Sequence, residues 1–194
     1  MTAIAGFRKL GEDERFRGSV ISVATGTFRA PDGSRFERDI VHHPGAVSVV
    51  PVLDGTTAVL LRQYRAALDA ELLEIPAGKR DVRHEAPEVT AARELAEEIG
   101  MRAGRLELLA RFHNSPGFSD EESFVFLGLD LRACARDLQG VEEQHMTVEH
   151  VALADVGVLI RQGRLTDAKS IIGLTLARER LDAGRGDGAG TGLS

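Results

Sequence analysis

The ten residues AARELAEEIG, positions 91–100, constrain this chain more than any other stretch. Pro87 suits the first position of a helix and Gly100 the residue just past its end, so a helix is predicted between them. At about 100° per residue, Val89, Ala92, Leu95, Ala96 and Ile99 form one apolar stripe expected to face a core. Glu94, Glu97 and Glu98 stand at i, i+3 and i+4, which predicts convergence on the opposite face with Arg93 as the one cation beside them. Two carboxylates roughly 5 Å apart repel by about 3 kcal/mol at an effective dielectric near 20, less where water and salt screen them. A divalent cation reverses that sign, and oxygen-only ligands select a hard ion, Mg²⁺ or Mn²⁺, over zinc. The alternative is a solvated acidic helix face, and the rest of the chain has to decide.

Length and charge narrow the choice. The 194 residues are 43% hydrophobic and 28% charged, enough for one soluble domain with a substantial core. A net charge of −6 argues against nucleic acid as a partner. The single cysteine, Cys134, excludes an intramolecular disulfide and reads as a small buried hydrophobe. The start, MTAIAGFRKLGEDERFRG, lacks the apolar core of a signal peptide, and no segment is long enough to cross a membrane, so the expected location is the cytoplasm. The Gly-rich end, residues 183–194, has almost nothing to bury and is expected to be disordered.

Between these ends the chain reads as strands, one helix, more strands, then two helices. RGSVISVATGTFRA and SRFERDIVHH read as strands joined by the turn PDGS, and AVSVVPVL and TAVLLRQYR flank a second hairpin signal, DGT. AELLEIPAG reads as a short strand ending in a loop; GRLELLARFH, ESFVFLGLDL and TVEHVAL are strand-like. LADVGVLIRQG and TDAKSIIGLTLARERL read as helices, the second capped by Thr166. The order predicts an α/β (α+β) fold, a mixed β-sheet sandwiched between helices, with an N-terminal antiparallel β-subdomain at residues 1–43 before a main domain at 44–182.

Read from Glu85, EAPEVTAARELAEEIGM is similar to the Nudix hydrolase signature: a glutamate, seven residues, then Arg-Glu-apolar-x-Glu-Glu-x-Gly-apolar. Glu85, Arg93, Glu94, Leu95, Glu97, Glu98, Gly100 and Met101 fall on that pattern. One departure is a sixth residue between Gly78 and Glu85, where the family has five. The resemblance implies divalent metal, two or three ions per site, that activates water against a diphosphate. It implies Glu94 and Glu98 as ligands, then Glu97, with the backbone carbonyl of Ala77, while Arg93 orients the glutamates and Glu85 makes a structural contact.

Outside that signature the chain resembles the ADP-ribose pyrophosphatase branch of the family. In LLRQYRAALDAELLEIPAG, Arg65 is expected to meet a substrate phosphate and Glu74 to lie near the metal or ribose; an ordinary ion pair is the alternative. HNSPGFSDE carries Pro116 about fifteen residues beyond the signature, where this branch has proline, and Ser119 and Glu121 are expected contacts to the terminal ribose or phosphate. The branch uses its N-terminal strands to form a homodimer and complete the partner's adenine pocket, with Phe36 as the stacking aromatic and Phe16 as a weaker candidate. Its general base comes from an acidic loop before the last strand, here GVEEQHMTVEH, which offers Glu142 and Glu143; His145 is an alternative by its usual pKa. His42 and His43 show no metal spacing, since neighbours on a strand point to opposite faces.

The resulting expectation is a homodimeric, Mg²⁺-dependent hydrolase of ADP-ribose. Two rivals stand beside it. One is a pyrophosphatase for an NDP-sugar, NADH or a diadenosine polyphosphate; the other is a non-catalytic Nudix-like module that senses ADP-ribose.

Overall fold

The structure is a computed structural model that describes residues 6–136 and 144–186. Among them, no helix is long and apolar enough to cross a membrane. The chain divides into two compact units, one formed by residues 6–45 with Phe112–Glu122, the other by residues 46–111 and 123–186.

The first unit is an antiparallel meander of β1 (Arg8–Arg17), β2 (Ser22–Arg29) and β3 (Arg35–His42). The PDGS turn forms as its residues predict. Asp32 Oδ1 accepts the Ser34 N–H at 2.9 Å and its hydroxyl at 2.6 Å, which fixes β2 and β3 in register. β1 is absent from the strand reading because RKLGEDERFR has neither alternation nor β-branched residues. It pairs with β2 alone and is exposed along its whole length. The second chain segment of this unit is tied to β3 by hydrogen bonds from Val41 N to Phe118 O (2.7 Å) and from Asp120 N to Val41 O (3.1 Å).

The second unit holds β4 (Ala46–Pro51) and β7 (Ala77–Lys79) with most of β9 (Arg105–His113) and of β10 (Glu122–Leu129), a mixed sheet in the order β7-β4-β10-β9. A second sheet has the order β12-β5-β6, from β5 (Thr57–Arg65), β6 (Ala70–Glu74) and β12 (Thr147–Ala152). The short β8 (Met101–Arg102) and β11 (Arg132–Ala133) pair with each other. Helices of the described residues include α1 (Pro87–Ile99), α2 (Val156–Arg161) and α3 (Ala168–Gly186).

The DGT signal marks a turn but not a hairpin. Asp54 Oδ1 accepts the N–H groups of Thr56 and Thr57 at 2.9 and 2.8 Å, and these bonds with the Thr56 hydroxyl hold its carboxyl down at a pKa of about 2. β4 and β5 then part into different sheets, after the bridge Val52–Ala58 and a bond from Leu53 N to Thr57 O at 2.9 Å. The reason is that β4 gives its edges to β7 and to parallel β10 instead.

Side-chain alternation along β4 and β10 puts Val47, Val49 and Phe126 on one face, in a core with Ala91, Leu95 and Ile99 of α1. Val50 and Val125 point to the other face, where α3 approaches so closely that a Cβ on Gly173 would lie 2.9 and 2.8 Å from their methyl groups. Helices therefore cover both faces, the expected sandwich. The cap of α3 is Asp167, not Thr166: its Oδ2 accepts the N–H of Ser170, the third residue of the helix, at 2.9 Å. The helix runs to Gly186, past the expected boundary at 182, and residues 187–194 lie outside the described residues. Cys134 is half-buried rather than buried, and its N–H bonds Gly100 O at 2.8 Å.

Candidate active site

The helix α1 begins at Pro87 and ends where Gly100 adopts the left-handed conformation (φ 64°), with its N–H bonded to Ala96 O. Its buried face, however, is rotated from the expected stripe. Thr90, Ala91, Leu95, Glu98 and Ile99 are buried, while Val89 is 55% exposed. Glu98, placed by periodicity on the far face, is only 3% exposed. The cause is a partner that periodicity does not report. Glu98 Oε2 accepts the backbone N–H of Ala77 on β7 at 2.9 Å, which offsets much of the cost of burying a carboxylate.

The next residue of β7 receives the second carboxylate. A Cβ built on Gly78 would lie 1.8 Å from the Glu94 carboxyl carbon and 2.1 and 2.2 Å from its oxygens, so only glycine admits Glu94 there. Ala77 and Gly78 thus meet Glu98 and Glu94 in turn. Glu97 faces Arg93 instead, at 3.1 Å from Nη1, and the same nitrogen is 2.8 Å from Glu94. Arg93 Nη2 lies 3.5 Å from Glu85, whose other contact is the Thr90 hydroxyl at 2.7 Å. Burial works against the Arg93 charge, but Glu94, Glu97 and Glu85 outweigh it and push its pKa up. Among the described residues no three His, Cys, Asp or Glu side chains are gathered at metal-binding separation. The donors nevertheless fit a hard cation, because they are all oxygen and two carboxylates are delivered to adjacent residues of one strand.

Gly78 supplies a test that separates site from fold. Gly78→Ala is expected to push Glu94, the flexible end of a side chain, off β7. Melting temperature should stay near wild type while turnover falls by roughly 10–100-fold, the usual loss when a metal site's surroundings are disturbed. Wild-type turnover in a folded Gly78→Ala protein would remove Glu94 from the site.

Arg65 and Glu74 form a bidentate pair, Nε–Oε1 at 2.7 Å and Nη2–Oε2 at 2.6 Å, and Glu74 also accepts from Lys169. Burial raises the Glu74 carboxyl, but Arg65 and Lys169 hold it below the usual carboxylate range. Lys169 and Asp167 escaped the sequence reading. Ninety-five residues separate Lys169 from Glu74, and no local pattern marks such a pair.

In the first unit, Pro116 is exposed in a turn closed by bonds from Phe118 N and Ser119 N to Ser115 O (3.1 and 2.9 Å), and Glu121 N bonds Ser119 Oγ at 3.2 Å. Phe36 stacks on Phe28 (centroids 5.4 Å apart), meets Phe7 edge-on, and lies under Arg38 (4.9 Å), whereas Phe16 is 56% exposed. Glu142 and Glu143 lie outside the described residues.

His42 is a second feature that the sequence hid. Its Nδ1 is 2.5 Å from Asp120 and its Nε2 2.6 Å from Glu12, so the ring bridges β1, β3 and the 112–122 segment, and when protonated it donates to both carboxylates. Lys9 pairs with Glu12, Asp120 also accepts His43 N–H at 3.0 Å, and Glu121 stands 3.8 Å from the His43 ring. The bonds to Asp120, then Glu12, raise the His42 pKa above 6.5. A pKa raised on folding gives stability that is complete below about pH 6.5 and lost as pH climbs through the folded value. The melting-temperature gap between wild type and His42→Gln should therefore be open at about pH 6 and close on the alkaline side. A gap that stays constant up to about pH 9 would contradict the bridge.

Residues 42–172 match the family model described as NUDIX domain. The chain is 36% identical over 163 residues to the ADP-ribose pyrophosphatase of Bacillus subtilis (strain 168), covering 84% of this chain and 88% of that protein. It is 33% identical over 168 residues to the ADP-ribose pyrophosphatase of Mycobacterium tuberculosis (87% and 81% covered). It is also 35% identical over 162 residues to a methanol dehydrogenase activator of Bacillus methanolicus (82% and 86% covered). In fold it is similar to the solved structure described as ADP compounds hydrolase, with TM-score 0.80 at 22% identity over 95% of this chain and 98% of that one. The chain belongs to the Nudix family.

Proposed function

We propose that the protein hydrolyses the diphosphate of ADP-ribose to AMP and ribose 5-phosphate with the help of divalent metal. The observation that carries the chemistry is the delivery of Glu94 and Glu98 to Gly78 and Ala77 on β7. The substrate rests on similarity to two proteins named ADP-ribose pyrophosphatase. Mg²⁺, with Mn²⁺ as a substitute and two or three ions per site, would be held by Glu94, Glu98, Glu97 and the Ala77 carbonyl. When bound it supplies charge neutralisation on the phosphate oxygens and a water of lowered pKa.

The chain's own groups do the rest. Arg93 holds Glu94 and Glu97 in place, and Arg65, fixed by Glu74, meets a substrate phosphate with the nitrogen that Glu74 leaves over. Ser119 and Glu121, in the turn shaped by Pro116, contact the terminal ribose or phosphate. A carboxylate of the Glu142–Glu143 loop takes a proton from the attacking water as the new P–O bond forms. The bridging oxygen keeps the electron pair of the broken bond and leaves on the other phosphate. The substrate is a soluble nucleotide, and a cytoplasmic location accompanies this reading.

A panel of ADP-ribose, an NDP-sugar, NADH and a diadenosine polyphosphate, with product detection, tests the proposal. Faster turnover of another member would move the substrate assignment. Binding of ADP-ribose without any turnover would favour the sensing module, a reading supported by the relative named as an activator of another enzyme.

The homodimer is part of the proposal. Phe7, Leu10, Phe16, Val20 and Ile21 are exposed apolar residues of the first unit, and among the described residues no strand pairs with the outer edge of β1. Light scattering should give twice the 20.9 kDa chain mass. Phe36→Ala should raise KM for ADP-ribose by a factor of about 2 to 13, the worth of one lost aromatic stack. A fully active monomer would contradict the shared site.

A further inference from the structure

The buried side of the Arg65–Glu74 pair is a four-charge cluster whose balance determines what Arg65 can offer a ligand. Glu74 is 2% exposed and accepts Arg65 through both oxygens and Lys169 through Oε2. Lys169 Nζ donates also to Asp167 Oδ1 at 2.8 Å. Asp167 Oδ2 accepts the Ser170 N–H and hydroxyl, and Ser170 Oγ accepts the Ile75 N–H at 2.9 Å, so the end of β6 is tied to the start of α3. Two cations and two carboxylates cancel.

Arg65 stands at the open end of this cluster, with its side chain 37% exposed against 15% for Lys169 and 2% for Glu74. Its guanidinium feels Glu98, the carboxylate bound to β7, as well as Glu74 and Asp167. On the hydrolase reading above, Arg65 is the cation that meets the diphosphate, and its charge is left for the ligand when Glu74 is neutralised from behind. Lys169 is the group that does so. Without it, Glu74 spends the Arg65 charge, and Asp167 leaves the cluster at net −1.

We propose that Lys169 is a positioning residue for diphosphate affinity: by neutralising Glu74 from the buried side it leaves the charge of Arg65 for the substrate's diphosphate. This rests on the hydrolase reading above, although it addresses the diphosphate and not the sugar. The effect acts on binding, so it belongs in KM and in the dissociation constant, with kcat little changed.

The test uses the full-length protein, Mg²⁺ and an ADP-ribose analogue whose bridging oxygen is replaced by methylene, read by calorimetry beside KM and kcat for ADP-ribose. Lys169→Met should weaken binding about tenfold, which is roughly 1.4 kcal/mol, and Lys169→Arg should restore it. Asp167→Asn retains a helix cap while removing a negative charge, so it should tighten binding. Ser170→Ala breaks the same hydrogen-bonded tie without changing charge, so it should lower the melting temperature and leave affinity alone. The proposal is overturned if Lys169→Met binds within twofold of wild type. It is equally overturned if Lys169→Met and Asp167→Asn weaken binding together in step with lost stability. Should the wild type turn over a different diphosphate in the panel, the same four variants are read in KM for that substrate. The substrate reading then falls while the opposite signs at positions 167 and 169 still decide the role of Lys169.

Discussion

Glutamine at position 94 or 98 is expected to remove nearly all turnover while the protein remains folded. The substitution keeps size and shape. At position 98 the glutamine carbonyl can still accept the Ala77 N–H that Glu98 now accepts at 2.9 Å. What disappears is one negative charge at a site whose proposed cation is worth several kcal/mol of transition-state stabilisation. At about 1.4 kcal/mol per tenfold, losing most of that corresponds to a fall on the order of 10²–10⁴-fold in kcat/KM. Glu97→Gln should do less, since Glu97 faces Arg93 while Glu94 and Glu98 meet β7. Mg²⁺ titrations of activity with parallel thermal melts check this. Wild-type activity of either the 94 or the 98 variant at limiting Mg²⁺ would show the metal site to be elsewhere.

Replacing Glu142 and Glu143 together by glutamine is expected to lower kcat by about 10²–10⁴-fold with KM nearly unchanged. The glutamates on and just before α1 are already engaged. Glu98 is committed to the Ala77 N–H, Glu94 to Gly78 and Arg93, Glu97 to Arg93, and Glu85 to the Thr90 hydroxyl. A carboxylate holding metal is also a poorer base, because the cation lowers its proton affinity. The sequence before β12, GVEEQH, is polar and begins at Gly140, a composition that suits a base reached by solvent and substrate. The two neighbours can stand in for each other, so the single variants are compared with the double. If the double variant keeps more than about a tenth of wild-type kcat at saturating Mg²⁺, well above the loss expected for a base, Glu121 becomes the next candidate.

Much of this protein was legible without its tertiary structure, wherever the deciding physics is local. Pro87 and Gly100 bound α1 because the missing N–H of proline and the left-handed freedom of glycine act within one turn of chain. PDGS closes its hairpin, and Asp54 folds its turn, through side-chain bonds spanning two or three residues. The acidic signature on α1 and the motif around Pro116 are likewise strings of adjacent positions, which is why family resemblance could be read from them. Partner choice across the chain was not legible. Periodicity rotated the buried face of α1 wrongly because it counts apolar side chains, and only the fold brings Ala77 N–H to Glu98. The DGT turn gave no hint that β4 would take parallel β10 as neighbour and leave β5 to another sheet. His42 meets Asp120 across 78 residues and Lys169 meets Glu74 across 95, and each residue alone reads as an ordinary surface charge. A charge's worth depends on what stands within a few ångströms of it and how much water is excluded, and for these residues tertiary packing sets both.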